Sequence, residues 1–202
     1  EETRQIADLG RWVLRRACAD AMRWPRHVGV AVNVSPLQLA GGDFARVVLD
    51  ALAQSGLEAR RLELEITESV LLQDKGDDLA ALRSLRETGV SIALDDFGTG
   101  FASMSYLKRF PFDRLKIDRS FVTDAPRDAG SAAIVAATIQ LACAYDIEVT
   151  AEGVETYEQY QALRAAGVKL MQGYLFGRPE KLSGALPQID VAVSISSGHR
   201  VA

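Results

Sequence analysis

Asp95 and Asp96 stand side by side after the small and apolar run Ser91-Ile92-Ala93-Leu94, and Phe97-Gly98-Thr99-Gly100 follows them. Two adjacent carboxylates repel, and each is costly to bury without a partner. A divalent cation offsets that cost, because carboxylate oxygens are the donors a hard ion takes. The same residues also fit a plain strand end with an Asp-Gly turn, so their meaning depends on what else the chain carries to that place. Adjacent strand residues point to opposite faces, but a turn at the strand's very end is expected to bring both carboxylates round one ion pair.

Asn33, Glu65, Lys116, Glu152 and Gln172 each close a short β-compatible segment in the same way. Taken singly, Asn33 fits a turn cap, Glu65 a solvent-facing side chain and Lys116 a surface charge. Seven polar residues at one topological position on six segments argue for a shared site instead. The oxygen donors among them are Asn33, Glu65, Asp95, Asp96 and Glu152, with no His or Cys, which favours Mg²⁺, Mn²⁺ or Ca²⁺ over structural zinc. Five donors exceed what one magnesium ion usually draws from protein. Two ions about 3.5–4 Å apart are the usual device for in-line phosphodiester hydrolysis, with Asp95 as the bridging ligand. Lys116 either orients the attacking water, assists proton transfer, or simply offsets the negative charge.

Alternating strands and helices position these residues. Ile6, Leu9, Val13, Leu14 and Ala17 recur at helical spacing, so a helix is expected over 3–23, ended by Pro25. Strand Val28–Val34 follows, then Ser35-Pro36 as an N-cap with Pro at the first helical position, and a helix within Asp43–Ser55 closed by Gly56. Strand Arg61–Ile66 gives way to Thr67-Glu68-Ser69, a loop, and a helix to Glu87 with Gly89 as its stop. After the central strand come a short helix over Ser103–Arg109, strand Arg114–Ile117, helix Gly130–Tyr145 and strand Glu148–Ala151. Helix Thr156–Ala166 and strand Lys169–Gln172 complete the series, and from Leu182 onward no period is visible. Strand-helix alternation with short links predicts a parallel sheet with right-handed crossovers. Polar residues at every C-terminal strand end predict a barrel, where those ends form one rim.

The 202 residues are 48% hydrophobic, 25% charged and carry a net charge of −4, enough for one sizeable core. The negative balance argues against a broad nucleic-acid polymer or anionic-membrane surface, though a small anionic ligand remains open where bound cations supply positive charge. Cys18 and Cys143 sit in helical, apolar patterns and read as reduced residues rather than a disulfide. The apolar run 131–145 is too short to span a bilayer, and no signal peptide is visible, so a cytoplasmic location is expected.

VNVS (32–35), ELEITES (63–69), ALDDFGTGFASMSYL (93–107), LKIDRSFV (115–122), TAEGVET (150–156) and MQGYLFGRP (171–179) together resemble the EAL domain family, whose members hydrolyse the bacterial second messenger cyclic di-GMP. The resemblance implies an α/β fold, a TIM-like (β/α)8 barrel with about six of its strands within this chain, over a domain of residues 1–181 with a tail at 182–202. It implies that Asn33, Glu65 and Asp95 hold a first Mg²⁺ or Mn²⁺ ion and Asp95, Asp96 and Glu152 a second, with Ca²⁺ inhibitory. Lys116 would contact the attacking water, Glu68 would anchor the loop Phe97–Ser103, and Gln172 matches the family's active-site glutamine. Gln172, Gly173, Phe176, Pro179 and Asp118 would face the substrate, the QGYLFGRP segment forming part of a guanine-contacting wall. A homodimer is implied, with that loop linking dimer contacts to the metals.

Two departures stand out. Ala102 replaces the first of two serines usual in the loop. The family's Glu-Ala-Leu signature, with a further metal ligand, two strands and a phosphate-contacting arginine, would precede Glu1, so it is expected upstream in a longer protein. Domains of the family often follow a regulatory or cyclase domain, and the resemblance extends that expectation to the upstream part of the parent protein. The implied activity is metal-dependent hydrolysis to linear pGpG. The alternative is a catalytically impaired domain that serves as a cyclic di-GMP receptor. Retention of Asp95, Asp96, Glu68 and Lys116 favours the enzyme.

Overall fold

The structure, a computed structural model, describes residues 5–73, 77–99 and 104–180. Six strands form one all-parallel sheet in sequential order: β1 (Val30–Val34), β2 (Leu62–Thr67), β3 (Ser91–Phe97), β4 (Arg114–Ile117), β5 (Glu148–Ala151) and β6 (Leu170–Met171). The helices are α1 (Gln5–Ala21), α2 (Pro36–Leu39), α3 (Phe44–Ser55), α4 (Glu68–Gln73), α5 (Asp77–Glu87), α6 (Met104–Arg109), α7 (Arg119–Asp124), α8 (Ala129–Ala144) and α9 (Tyr157–Ala165). The sheet is the half-barrel of a (β/α) fold, as the strand-helix alternation predicts. The tail at 182–202, and with it the domain boundary at 181, lies outside the described residues.

Each strand divides its residues between two faces. Val32 and Val34, Leu62, Leu64 and Ile66, Ile92 and Leu94, and Leu115 and Ile117 are buried, most of them with their helices in one continuous apolar cluster. Ala31, Asn33, Glu63, Glu65, Ser91, Ala93, Asp95, Arg114, Lys116 and Thr150 take the alternate positions and point to the concave side. Parallel strands covered on both faces by helices read as unbroken apolar runs. Here the second face is the inside of a barrel wall, and it is charged.

Local signals explain the boundaries. Ser35 and Gln38 form a reciprocal capping box before α2 with Pro36 at its first position, and Thr156 and Gln159 do the same for α9. Gly56 ends α3 in the left-handed conformation at φ 76°. Arg61 is buried and donates to the carbonyls of Ala21 at 2.6 Å and Val28 at 2.8 Å, which fixes the link between α1 and β1.

Three elements differ from the sequence reading. α4 begins at Glu68, where a loop was expected, so Glu68 sits in a first helical turn. α7 was not foreseen; Asp118 caps it by accepting from the Ser120 N–H at 2.9 Å. β3 does not turn off at the two aspartates. It runs through both aspartates to Phe97, with a register shift that sets Leu94, Asp95, Asp96 and Phe97 against Leu115, Lys116 and Ile117 of β4. A bulge, not a terminal turn, therefore governs how the two carboxylates point.

Candidate active site

The bulge acts through Asp96, whose φ of 54° is left-handed. Only Gly, Asn and Asp visit that region readily. The twist cancels the alternation that would have sent Asp96 to the helix side. As a result, carboxylate oxygens of Asp95, Asp96 and Glu152 lie within 4.8 Å of one another. The Asp96 N–H donates to Asp95 Oδ1 at 3.0 Å, which holds the first carboxylate in place. Burial, and then the charge of Asp95, push the Asp96 carboxyl above the usual carboxylate range.

Lys116 reaches the same place from β4. It is buried, and its Nζ lies 2.6 Å from Glu65 Oε1, 2.6 Å from Glu152 Oε1 and 3.2 Å from Asp95 Oδ1. Burial alone would lower its pKa, but hydrogen bonds to Glu152 and Glu65 outweigh it and the ammonium is held above its ordinary value. Burial likewise pushes the Glu152 carboxyl up, against the pull of Lys116. Glu65 and Lys116 are both buried, which removes the solvent-facing reading for either. Four carboxylates face one ammonium here, so three formal negative charges stay uncompensated. An all-oxygen donor set with surplus negative charge fits one or two hard divalent cations.

The remaining expected residues are placed as follows. Asn33 is the register partner of Glu65 and is exposed. Glu68 Oε1 accepts the Gly98 N–H at 3.0 Å, so it reaches the segment after the double aspartate. Ala102, and residues 100–103 of the loop Phe97–Ser103, lie outside the described residues. Glu152 donates its N–H to Ile117 O at 3.1 Å, extending the ladder past β5. Gln172 donates to Ala151 O at 2.8 Å and accepts from the Val154 N–H at 3.0 Å, which sets it beside Glu152 at the rim. A side chain at Gly173 would run into the backbone oxygen of Val154 at 2.2 Å, so only glycine fits. Phe176 is half-buried, its ring edge-on to Tyr160 at 6.4 Å, and Pro179 is exposed. Asp118 spends one oxygen on capping α7 while its charge reaches Asp96.

A second charged cluster escaped the sequence reading. Arg114 Nη1 donates to both oxygens of Glu63, at 2.7 and 2.9 Å, and Nη2 to Glu148 Oε2 at 2.8 Å. The signal was present: Glu63 precedes Glu65, and Arg114 precedes Lys116, by two residues. A strand places such pairs on one face.

The family model described as the EAL domain matches residues 1–179. The chain is 43% identical over 187 residues to the cyclic di-GMP phosphodiesterase NbdA of Pseudomonas aeruginosa, covering 91% of this chain and 24% of that protein. The chain spans about a quarter of the length of the curated relatives it matches. Among solved structures, the PaMucR phosphodiesterase in complex with c-di-GMP superposes with a TM-score of 0.81 at 40% identity, over 88% of this chain and 74% of that one. Klebsiella pneumoniae BlrP1 in its manganese and cyclic di-GMP complex gives 0.80 at 32% identity, over 86% and 45%. A further BlrP1 structure is its calcium and cyclic di-GMP complex. No helix among the described residues is long and apolar enough to cross a membrane.

Proposed function

The chain belongs to the EAL domain family, and we propose that it hydrolyses one phosphodiester of cyclic di-GMP to give linear pGpG. The observation that carries this reading is the buried Lys116 ammonium bonded to Glu65, Asp95 and Glu152, with Asp96 turned into the same space. Asn33, Glu65 and Asp95 would hold one Mg²⁺ or Mn²⁺ ion, and Asp95, Asp96 and Glu152 a second. Such ions lower the pKa of water and neutralise charge on the phosphate oxygens.

The chain's own groups then have separate tasks. Lys116 keeps its proton at neutral pH while its carboxylates hold it, so it serves as a donor and fixed charge that orients the attacking water, not as a base. Glu152, 2.6 Å from Lys116 and beside Asp95 and Asp96, would help to hold the second ion and to keep the attacking water next to the ammonium. Glu68 holds the Gly98 segment over the site through one hydrogen bond. Gln172, Gly173 and Phe176 form the wall against which a guanine base lies, with Pro179 and Asp118 at its margin. The domain is proposed to work as a homodimer in the bacterial cytoplasm, within a longer signalling protein.

The experiment is hydrolysis of cyclic di-GMP with Mg²⁺ or Mn²⁺, with Ca²⁺ and chelator as controls, and with Asp95→Asn and a binding assay alongside. Turnover that requires Mg²⁺ or Mn²⁺, and is lost in the variant while substrate still binds, is expected. Binding without turnover in the unaltered protein would replace the enzyme reading with that of a receptor.

A further inference from the structure

Beneath the acidic rim lies a second ionic tier with no part in the chemistry proposed above. Arg114 grips both oxygens of Glu63 and reaches Glu148. The two tiers run parallel: Glu65 to Lys116 above and Glu63 to Arg114 below, each bridging from β2 to β4 across the intervening β3. They can do so because the concave-side residues of β3 at this level, Ser91 and Ala93, are small. Ala93 is wholly buried and is the register partner of both Glu65 and Arg114.

We propose that Arg114 is a positioning residue for Lys116, and that it works by occupying Glu63. Glu63 lies about 7 Å down the strand from Glu65 and on the same face. Below the rim, its oxygens are alternative acceptors for an ammonium on a flexible four-carbon stem. The side chains of Glu63 and Arg114 are 14% and 27% exposed, so water competes little for either. Nη1 of the guanidinium bonds both Glu63 oxygens while Nη2 holds Glu148, a rigid spread of donors that the compact ammonium of Lys does not offer. With Glu63 satisfied, Lys116 has its partners only in the upper tier, beside the cation ligands. Without Arg114, Glu63 becomes a buried carboxylate lacking its cation, and Lys116 moves down to it. This assignment rests on the catalytic reading of Lys116, but the position of its amine is a separate observable.

The test compares Arg114→Met with Glu63→Gln/Arg114→Met in the full-length protein. Arg114→Met is expected to lower kcat for cyclic di-GMP about tenfold or more with KM little changed, since Lys116 acts on the attacking water and not on bound substrate. Removing Glu63 as well deletes the competing acceptor and is expected to restore kcat to within about twofold, a rescue that a merely structural Arg114 would not show. An unchanged kcat in the single variant, or an equally low kcat in the double variant, overturns the proposal. Should Arg114→Met not fold, Arg114→Gln is expected to show a smaller loss in the same direction with the same rescue, and failure of that rescue refutes the idea. If the unaltered protein hydrolyses nothing, the phosphodiesterase reading fails. The crystal structure of the single variant then still decides. Lys116 Nζ within hydrogen-bond distance of Glu63 upholds the assignment, and Lys116 left on Glu65, Asp95 and Glu152 refutes it.

Discussion

Glu68 Oε1 accepts a hydrogen bond from the Gly98 N–H at 3.0 Å, tying the start of α4 to the residue two places after Asp96. Gly98 has φ 100°, and a side chain there would press on the Phe121 ring at 3.0 Å. The anchor thus joins a buried carboxylate to a backbone position with little freedom of its own. Replacing Glu68 with Ala removes the acceptor and leaves a partly buried N–H without this partner, at a cost of about 1–3 kcal/mol. Turnover of cyclic di-GMP is expected to fall about tenfold or more, while Mn²⁺ binding measured by calorimetry stays near that of the unaltered protein, because Glu68 is not among the proposed cation ligands. Equal loss of both would place Glu68 in the cation site itself.

The crowding of Asp95, Asp96 and Glu152 predicts that divalent cations stabilise the fold. An ion at about one hundred times its dissociation constant adds about 2.7 kcal/mol, or roughly 5–10 °C in Tm for a chain of this size. The effect depends on pH in a definite direction. The Asp96 and Glu152 carboxyls are pushed up by burial, so between the ordinary carboxylate value and the raised one the folded chain holds more protons than the unfolded chain. Stability from these two groups is therefore present in acid and is lost as pH rises through the raised values. A cation binds the ionised forms and reverses that trend. The Mn²⁺-induced rise in Tm is expected to be larger at pH 7.5 than at pH 5, and smaller at both in Asp96→Asn. Thermal scans with Mn²⁺ and with chelator at the two pH values measure it.

Much of this was legible along the chain, and what was not has a physical reason. Helix stops at Gly56 and Gly89, the Ser35-Pro36 cap and the strand Arg114–Ile117 are local signals and fall where the sequence puts them. Asn33, Glu65, Lys116 and Glu152 could be assigned to one rim because parallel topology repeats the same strand end. The bulge at Asp95-Asp96 is different, since it depends on how β3 pairs with β4, and no local pattern announces a register shift. Glu63 and Arg114 were passed over because alternating charge normally marks a solvent face, whereas here it lines a barrel wall. α7 was missed because six residues give too little period to see, although Asp118 followed by Ser120 at the right spacing was a usable cap signal.

Arg61 predicts a purely structural phenotype. Its guanidinium is buried and answers the carbonyls of Ala21 and Val28, with longer contacts to those of Pro25 and Trp24. Arg61→Met keeps most of the apolar stem but leaves those carbonyls without their donor, so stability is expected to drop by about 2–4 kcal/mol. Urea unfolding should show a lower midpoint with an unchanged slope. Mn²⁺ affinity of the folded variant should not move, because Arg61 lies at the opposite end of β2 from Glu65.

The two cysteines predict a contrast in reactivity. Cys18 is wholly buried in α1 and burial pushes its thiol up to about 11, whereas Cys143 is exposed on α8. A thiol-disulfide reagent at pH 8 is expected to titrate Cys143 promptly and Cys18 only on unfolding, since the thiolate is the reactive form and α1 denies access to it. The same burial sets an alkaline limit. From about pH 9 the unfolded chain loses the Cys18 proton while the folded chain keeps it, so stability falls as pH rises and the loss is complete near pH 11. The full effect is about 2–3 kcal/mol. Cys18→Ala removes the titrating group, so its stability should decline less steeply across that window than that of the unaltered protein. Parallel slopes for the two proteins would show that Cys18 ionises as readily in the fold as outside it.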